Sequence, residues 1–529
     1  MNIKRKAAIY TITTFILIIV VFLFKYDFSE NEIVSNSSNV SFSDIDLDIF
    51  ESDGLYVLNT SDLYVVNVES ECEFFGNEKS LIYFNCSNYK KSNFVGNITV
   101  LENDFKRIHS FKLNMDEEEL VEEVVFQKTS DIWVTAYFAS WNHYVEDGGS
   151  WGVMPSSEID WDAFTHMAYF AVNANSDGTL GGTGEWENMN DARVSDIVPE
   201  AHSHDTPIVF TVGGAGNEEF QDAITPGNRD VFVSELVGFM TEYGFDGIDL
   251  DMEPIRNADV ENYKAFVEQL HKELENLNVD EDYNEEKPIV EEPLLIAAVN
   301  GQPEMFAELQ EYFDQINIMT YDYSGPWEGW VTWHNSPIYN GGHTFYSTGE
   351  EIPSLEKSID IWKDTGVDKE ILGAGVDFYG YEWSGGRLYD EDTSGYLDKG
   401  ISEPLQRWHK DHPPERTWSE IPYSEIADEY GLKAYENEGN PYYNWDEVAK
   451  VPYISVTSES PDDYLFISYD DERTAKEKVK FARNQDIGGL IIWELSGGYR
   501  SEEPIGERQL LLSAVKEEFE KGRNDCTMC

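Results

Sequence analysis

The chain has 529 residues, 41% hydrophobic and 14% aromatic, which excludes a disordered chain and is enough for two or three domains. Its 37 basic residues stand against 102 acidic ones, a formal net charge of −65, so nucleic acid is excluded as a partner and anionic surfaces are repelled. The acidic residues run along the whole sequence, as a surface adapted to high salt would require, where self-repulsion is screened; the plainer reading is an acidic exported protein.

Lys4, Arg5 and Lys6 precede an uncharged, mostly apolar run from Ala7 to Phe24. At about 1.5 Å per residue such a run just spans a bilayer. It lacks a small-residue cleavage site, so residues 1–25 read as a cytoplasmic basic flank and an uncleaved anchor, with a cleaved signal as the alternative. Either way the remainder is expected outside the cytoplasm, on the extracellular face of the membrane or secreted. Five N-x-S/T sequons, at Asn36, Asn39, Asn59, Asn85 and Asn97, fit an exported stalk.

Residues 26–44 read as a Ser/Asn-rich linker, and 45–115 as a small β-rich domain of unknown role, from short alternating runs such as Leu63–Val68 and Phe94–Leu101. Cys72 and Cys86 could close one disulfide there. Cys526 and Cys529 form a lone CxxC in a C-terminal tail, 521–529, better read as a local disulfide or free thiols than as a zinc site.

From Ile132 the pattern changes. Strand-like runs occur at Ile132–Ala139, Thr165–Val172, Ile208–Val212, Gly247–Met252, Leu294–Val299, Ile316–Thr320, Ile371–Phe378 and Gly489–Trp493. Helical spacing lies between them: Val233, Leu236, Val237 and Met240 ahead of Gly244, then Phe266, Val267, Leu270 and Leu274. Strands alternating with helices predict a (β/α)₈ barrel over 131–520. The long gap before the last strand predicts an inserted α+β subdomain at about 381–465.

The fourth strand carries the chemistry. Side chains alternate along a strand, so in Asp246–Pro254 the acids Asp249, Asp251 and Glu253 share one face and Ile248, Leu250 and Met252 the other. The aliphatic face packs on helices, and the acids point into the barrel near its C-terminal mouth. Three buried anions cost too much, so like charge and burial must raise at least one pKa, which suits a general acid. A solvated acidic patch and a divalent-metal site are the alternatives.

Asp246 to Glu253, DGIDLDME, resembles the DGxDxDxE signature of glycoside hydrolase family 18. Thr211-Val212-Gly213-Gly214 resembles that family's SxGG and Met319-Thr320-Tyr321-Asp322 its MxYD. Gly488–Glu494 is similar to its last strand with a pocket-floor tryptophan. The resemblance covers about Ile132 to Phe519. It implies a chitinase-type hydrolase of β-1,4-linked N-acetylglucosamine polymers that uses no metal and no cofactor. Glu253 would be the acid and then the base, Asp251 would hold the substrate's acetamido group, and Asp249 would share a proton with Asp251. Tyr321 and Asp322 would contact the reacting sugar. Trp493, Tyr137, Gly213, Gly214, Met319 and Trp327 would line the substrate site. Thr211 stands for the usual Ser, Ala215 for a frequent Trp, and Met252 and Pro254 for a common Trp-Tyr pair. These departures leave open an endo-β-N-acetylglucosaminidase acting on glycoprotein or wall glycans. A non-catalytic chitin-binding lectin is the rival of another class, against which the retained Glu253 argues.

Overall fold

The chain divides into two compact units, Met1–Ser130 and Asp131–Cys529. The computed structural model describes residues 132–143, 151–182 and 189–525, apart from short breaks at 190, 285, 418–419, 434–436 and 438, and in the first unit the backbone of the strands between 39 and 128. The expected anchor lies outside the described residues, as do Cys72, Cys86, Cys526 and Cys529. In the first unit the chain forms two antiparallel sheets, one of residues 39–41, 46–52, 55–59, 81–85 and 73–78 and one of residues 64–70, 93–102, 105–114 and 119–128, so strand reaches back into the expected linker and on past the bound expected at 115. Among the described residues no helix is long and apolar enough to cross a membrane.

All eight expected strands form, as β1 (Trp133–Ala139), β2 (His166–Ala174), β3 (Ile208–Gly213), β4 (Gly247–Asp251), β5 (Leu294–Val299), β6 (Gln315–Ile318), β7 (Leu372–Asp377) and β8 (Gly489–Trp493). Each pairs in parallel with its sequence neighbours, and β8 pairs with β1, which closes the barrel. The helices that cover it include α1 (Asp191–Ser203), α2 (Arg229–Tyr243), α3 (Val260–Glu275), α4 (Pro303–Leu309), α5 (Leu355–Asp364), α6 (Glu472–Asn484) and α7 (Leu510–Asp525). Helix α2 stops where expected, at Gly244, whose φ of 81° allows its N–H to return to the Met240 carbonyl. Helix α7 runs past the domain end expected at 520.

The sixth strand ends earlier than its apolar pattern suggests. The Met319 N–H still pairs with the Val299 carbonyl, but Thr320 turns back to Ile318, which takes Tyr321 off the strand and onto the barrel rim. The fourth strand behaves as its alternation demands. Ile248, Leu250 and Met252 join the outer core with Leu236, Phe266 and Val267, where full burial stabilises by about 1.5–3 kcal/mol per side chain. The opposite face looks into the barrel, whose lower layer is polar and fully paired: Thr135 donates to Gln315 at 2.7 Å and Trp133 to Asn317 at 3.3 Å.

After β7 the chain enters the inserted subdomain. Its antiparallel sheet places Tyr379–Ser384 beside Leu465–Tyr469, followed by Val451–Val456 and Tyr443–Asp446. Glu415–Arg416 and Ile421–Pro422 pair on the other edge of Tyr379–Ser384. The sheet therefore begins just before the expected start at 381 and ends just after 465.

Barrel and insertion are joined by a buried ionic cluster. Lys478 of α6, fully buried, bonds Asp470, Asp377 (3.1 Å) and Ser336 (2.5 Å). Asn335 donates to Asp377 at 2.7 Å and its side-chain oxygen accepts the Asp322 N–H at 3.0 Å. Removing one member of such a cluster leaves its partners charged and unmet. Lys478→Met should therefore lower unfolding stability by roughly 3–5 kcal/mol in urea denaturation. An unchanged midpoint would show that the cluster carries no such weight.

Candidate active site

Strand β4 sets the site. Its neighbour β3 places Thr211 opposite Asp249 and Gly213 opposite Asp251. Asp249 is fully buried, and its Oδ2 accepts from Tyr137 Oη at 2.9 Å and from Thr211 Oγ1 at 2.8 Å. Burial raises its pKa to about 6, against the pull of those two donors. Asp251 is pushed well above the usual carboxylate range by burial, then by the charges of Glu253 and Asp249, and it shares a hydrogen bond with Glu253. Glu253 is raised to about 7, first by burial and then by the charge of Asp322, while the bond from Asp251 opposes the rise. Asn300 also donates to Glu253, at 3.3 Å. All three carboxyls are therefore raised, as strand alternation predicted for at least one.

The remaining expected residues surround this ladder. Tyr321 is buried on the rim after β6 and packs at 6.0 Å from Tyr379. Asp322 follows with φ 60°, a left-handed conformation that Asp tolerates, and accepts from Tyr379 Oη at 2.7 Å. Its pKa is raised by burial, against hydrogen bonds from Tyr379 and Tyr381 and the charge of Arg416. Trp493 ends β8, packed at 5.7 Å from Tyr137 and edge-on to Phe170 at 4.7 Å, with Met319 in the same inner cluster. Trp327 is not part of that cluster; it is 47% exposed and lies edge-on to Trp330 at 4.4 Å.

Gly213 and Gly214 sit at the site for a backbone reason. A Cβ on Gly213, at φ 109°, would lie 2.1 Å from the Asp251 carbonyl oxygen, and one on Gly214 would strike the Phe170 ring at 2.6 Å. The Gly214 N–H donates to that same carbonyl at 2.7 Å. These glycines let β3 close on the acidic strand. Asp246, the first residue of the signature, lies below the site: its carboxylate accepts from the Ile208 and Ile289 N–H groups and meets His202 at 2.9 Å.

Several residues at the site carry no signal in the sequence. Glu420, in the insertion, has its pKa raised to about 7 by burial and by the charge of Asp322, against a hydrogen bond from Trp493. Tyr381, Arg416 and Asn335 likewise come from segments without a motif. Tyr379 lies one residue beyond the expected seventh strand, Ile371–Phe378, and opens the first strand of the insertion.

The family model for glycosyl hydrolases family 18 matches residues 134–498. Among characterised proteins, the chain is 27% identical over 382 residues to a chitinase-like effector of Moniliophthora roreri, covering 66% of this chain and 88% of that protein. It is 26% identical over 421 residues to chitinase B of Serratia marcescens, covering 68% and 79%. The Group IV chitinase of Ostrinia furnacalis, solved in complex with allosamidin, superposes with a TM-score of 0.55 at 22% identity, over 74% of this chain and 99% of that one, a likeness of fold.

The raised pKa of Glu253 has a stability consequence. Between its ordinary 4.5 and about 7 the unfolded chain loses a proton that the folded chain keeps, so stability falls as pH rises through that window. Glu253→Gln removes the penalty. The variant should melt at nearly the wild-type temperature near pH 4.5 and a few degrees above it at pH 8, by calorimetry on the full chain. A pH-independent difference would show that the carboxyl is not held up by its surroundings.

Proposed function

The chain belongs to glycoside hydrolase family 18, and we propose that it is a chitinase-type hydrolase of β-1,4-linked N-acetylglucosamine polymers with Glu253 as acid and base. The observation that carries this reading is the carboxyl ladder Asp249–Asp251–Glu253 at the barrel mouth, whose outermost member keeps its proton up to about pH 7. Such a group can protonate a leaving glycosidic oxygen at neutral pH. Asp251 is hydrogen-bonded to Glu253 and does not stand free as a nucleophile, which favours attack by the substrate's own acetamido oxygen. The C1–O bond breaks as the new C1–O bond to the acetamido group forms, giving an oxazolinium ion. Asp251 Oδ1, buried and without a donor among the described residues, is suited to accept the acetamido N–H. Tyr321 would orient the acetamido oxygen, and Tyr137 and Thr211 keep Asp249 ready to share a proton with Asp251. Glu253, now ionised, takes a proton from the incoming water, and the anomeric configuration is retained.

Ala215 supports a second reading. It lies exposed on the rim beside Gly214 and offers no ring to a sugar beyond the scissile bond, which suits an endo-β-N-acetylglucosaminidase as well as a chitinase. In either case residues 7–24 would hold the enzyme on the outer face of a membrane.

Hydrolysis of a fluorogenic N-acetylglucosamine oligomer by the full chain tests the proposal. Glu253→Gln should lower kcat/KM by roughly 10²–10⁴-fold, and wild-type kcat/KM should fall tenfold per pH unit above about 7 as Glu253 loses its proton. Cellulose oligomers, which lack the acetamido group, should not be cut. Cleavage of a glycoprotein glycan but not of the oligomer would favour the second reading.

A further inference from the structure

Arg416 is an unexplained cation in an acidic pocket. Its two-residue strand pairs with Trp383–Ser384 and brings it opposite Trp383, so its side chain lies on the same sheet face as Tyr381. The guanidinium carbon sits 3.2 Å from the centre of the Tyr381 ring. That ring in turn bonds Asp322 through its hydroxyl. A guanidinium stacked flat on a ring keeps its N–H groups in the plane, pointing outward from its edges.

Two of those nitrogens, Nε and Nη2, are buried with no acceptor among the described residues. Buried donors in folded proteins are met almost without exception, by protein, water or ligand. The two nearby carboxyls are engaged elsewhere: Asp322 accepts from Tyr379 and Tyr381, and Glu420 from Trp493. The fork is thus held over the Tyr381 ring, beside Asp322 and Glu420, with Nε and Nη2 unmet among the described residues.

We infer that Arg416 is a substrate-binding residue, whose free Nε and Nη2 donate to an oxygen of the sugar unit seated against Asp322. The acceptor is a neutral hydroxyl or amide carbonyl, because Asp322 and Glu420 flank the fork and would repel an anionic group. The inference rests on the carbohydrate reading above.

The test is binding of a β-1,4-linked N-acetylglucosamine tetramer to the full chain carrying Glu253→Gln, by titration calorimetry, with and without a second change at Arg416. Arg416→Met should weaken Kd about tenfold or more, the size of a lost hydrogen bond from a charged donor. Arg416→Lys should recover little of the loss, since an ammonium neither forks nor stacks as a guanidinium does. A packing role alone would lower the melting temperature and leave Kd in place. Kd within twofold of the parent for a folded Arg416 variant would overturn the inference while leaving the carbohydrate reading standing. Failure of the parent itself to bind the tetramer would overturn both. Should Arg416→Met not fold, Arg416→Lys decides by the same criterion.

Discussion

Burial of acidic groups inside a closed barrel is the constraint on which the rest of the site depends. A carboxylate moved out of water without a partner is expensive, and β4 presents three carboxyls along one face. The structure answers with graded environments. Asp249, deepest, keeps two neutral donors on one oxygen, and its pKa rises only to about 6. Asp251, between two acids, is pushed well above the usual carboxylate range and shares a hydrogen bond with Glu253. The order follows from position along a single strand, and the outer surface of that strand, Ile248, Leu250 and Met252, anchors it to the helices.

The second half of the site is an answer to the same constraint from the other side of the barrel. Asp322 and Glu420 raise the local negative charge, and both are supplied with donors from rings: Tyr379 and Tyr381 for one, Trp493 for the other. Neutral donors stabilise a carboxylate without adding a formal charge that would neutralise the acidic ladder. Among the described residues Arg416 is the guanidinium whose charge acts on both acids, and it is seated on an aromatic face and not in a salt bridge to either. Behind Asp322 the backbone is fixed by Asn335, and through it by the Asp377–Lys478–Asp470 cluster, in which barrel residues also hold the end of the insertion.

The barrel and its acidic strand were legible because their signals are local and periodic. Alternation alone placed Asp249 and Glu253 on the inner face and Met252 on the outer one. Strand ends were less legible: the Met319 amide still pairs with Val299, but the Thr320 amide turns back to Ile318, and no change of pattern in the sequence marks that point. The insertion residues were not legible at all. Arg416 stands on a two-residue strand and Glu420 just ahead of another, Ile421–Pro422, and neither shares a repeat with anything it touches. Contacts made by tertiary packing of short edges leave no pattern in the chain.

The departures around the signature look different once packing is known. Met252 faces the helices and is 3% exposed, so replacing a tryptophan there alters the outer core and not the sugar path. Pro254 offers its carbonyl to Gln221 at 3.0 Å, a contact that ties the end of the acidic strand to the loop beyond β3. Ala215 is exposed, close in sequence to a polar depression lined by Asn175, Asn217 and Glu219. Where an indole would give an apolar platform, this chain offers amides and a carboxylate. On the proposed reading such a surface would hold a sugar by hydrogen bonds, with geometric demands that stacking does not impose, so the departure would bear on which sugar fits beyond the cleavage point and not on the acidic ladder.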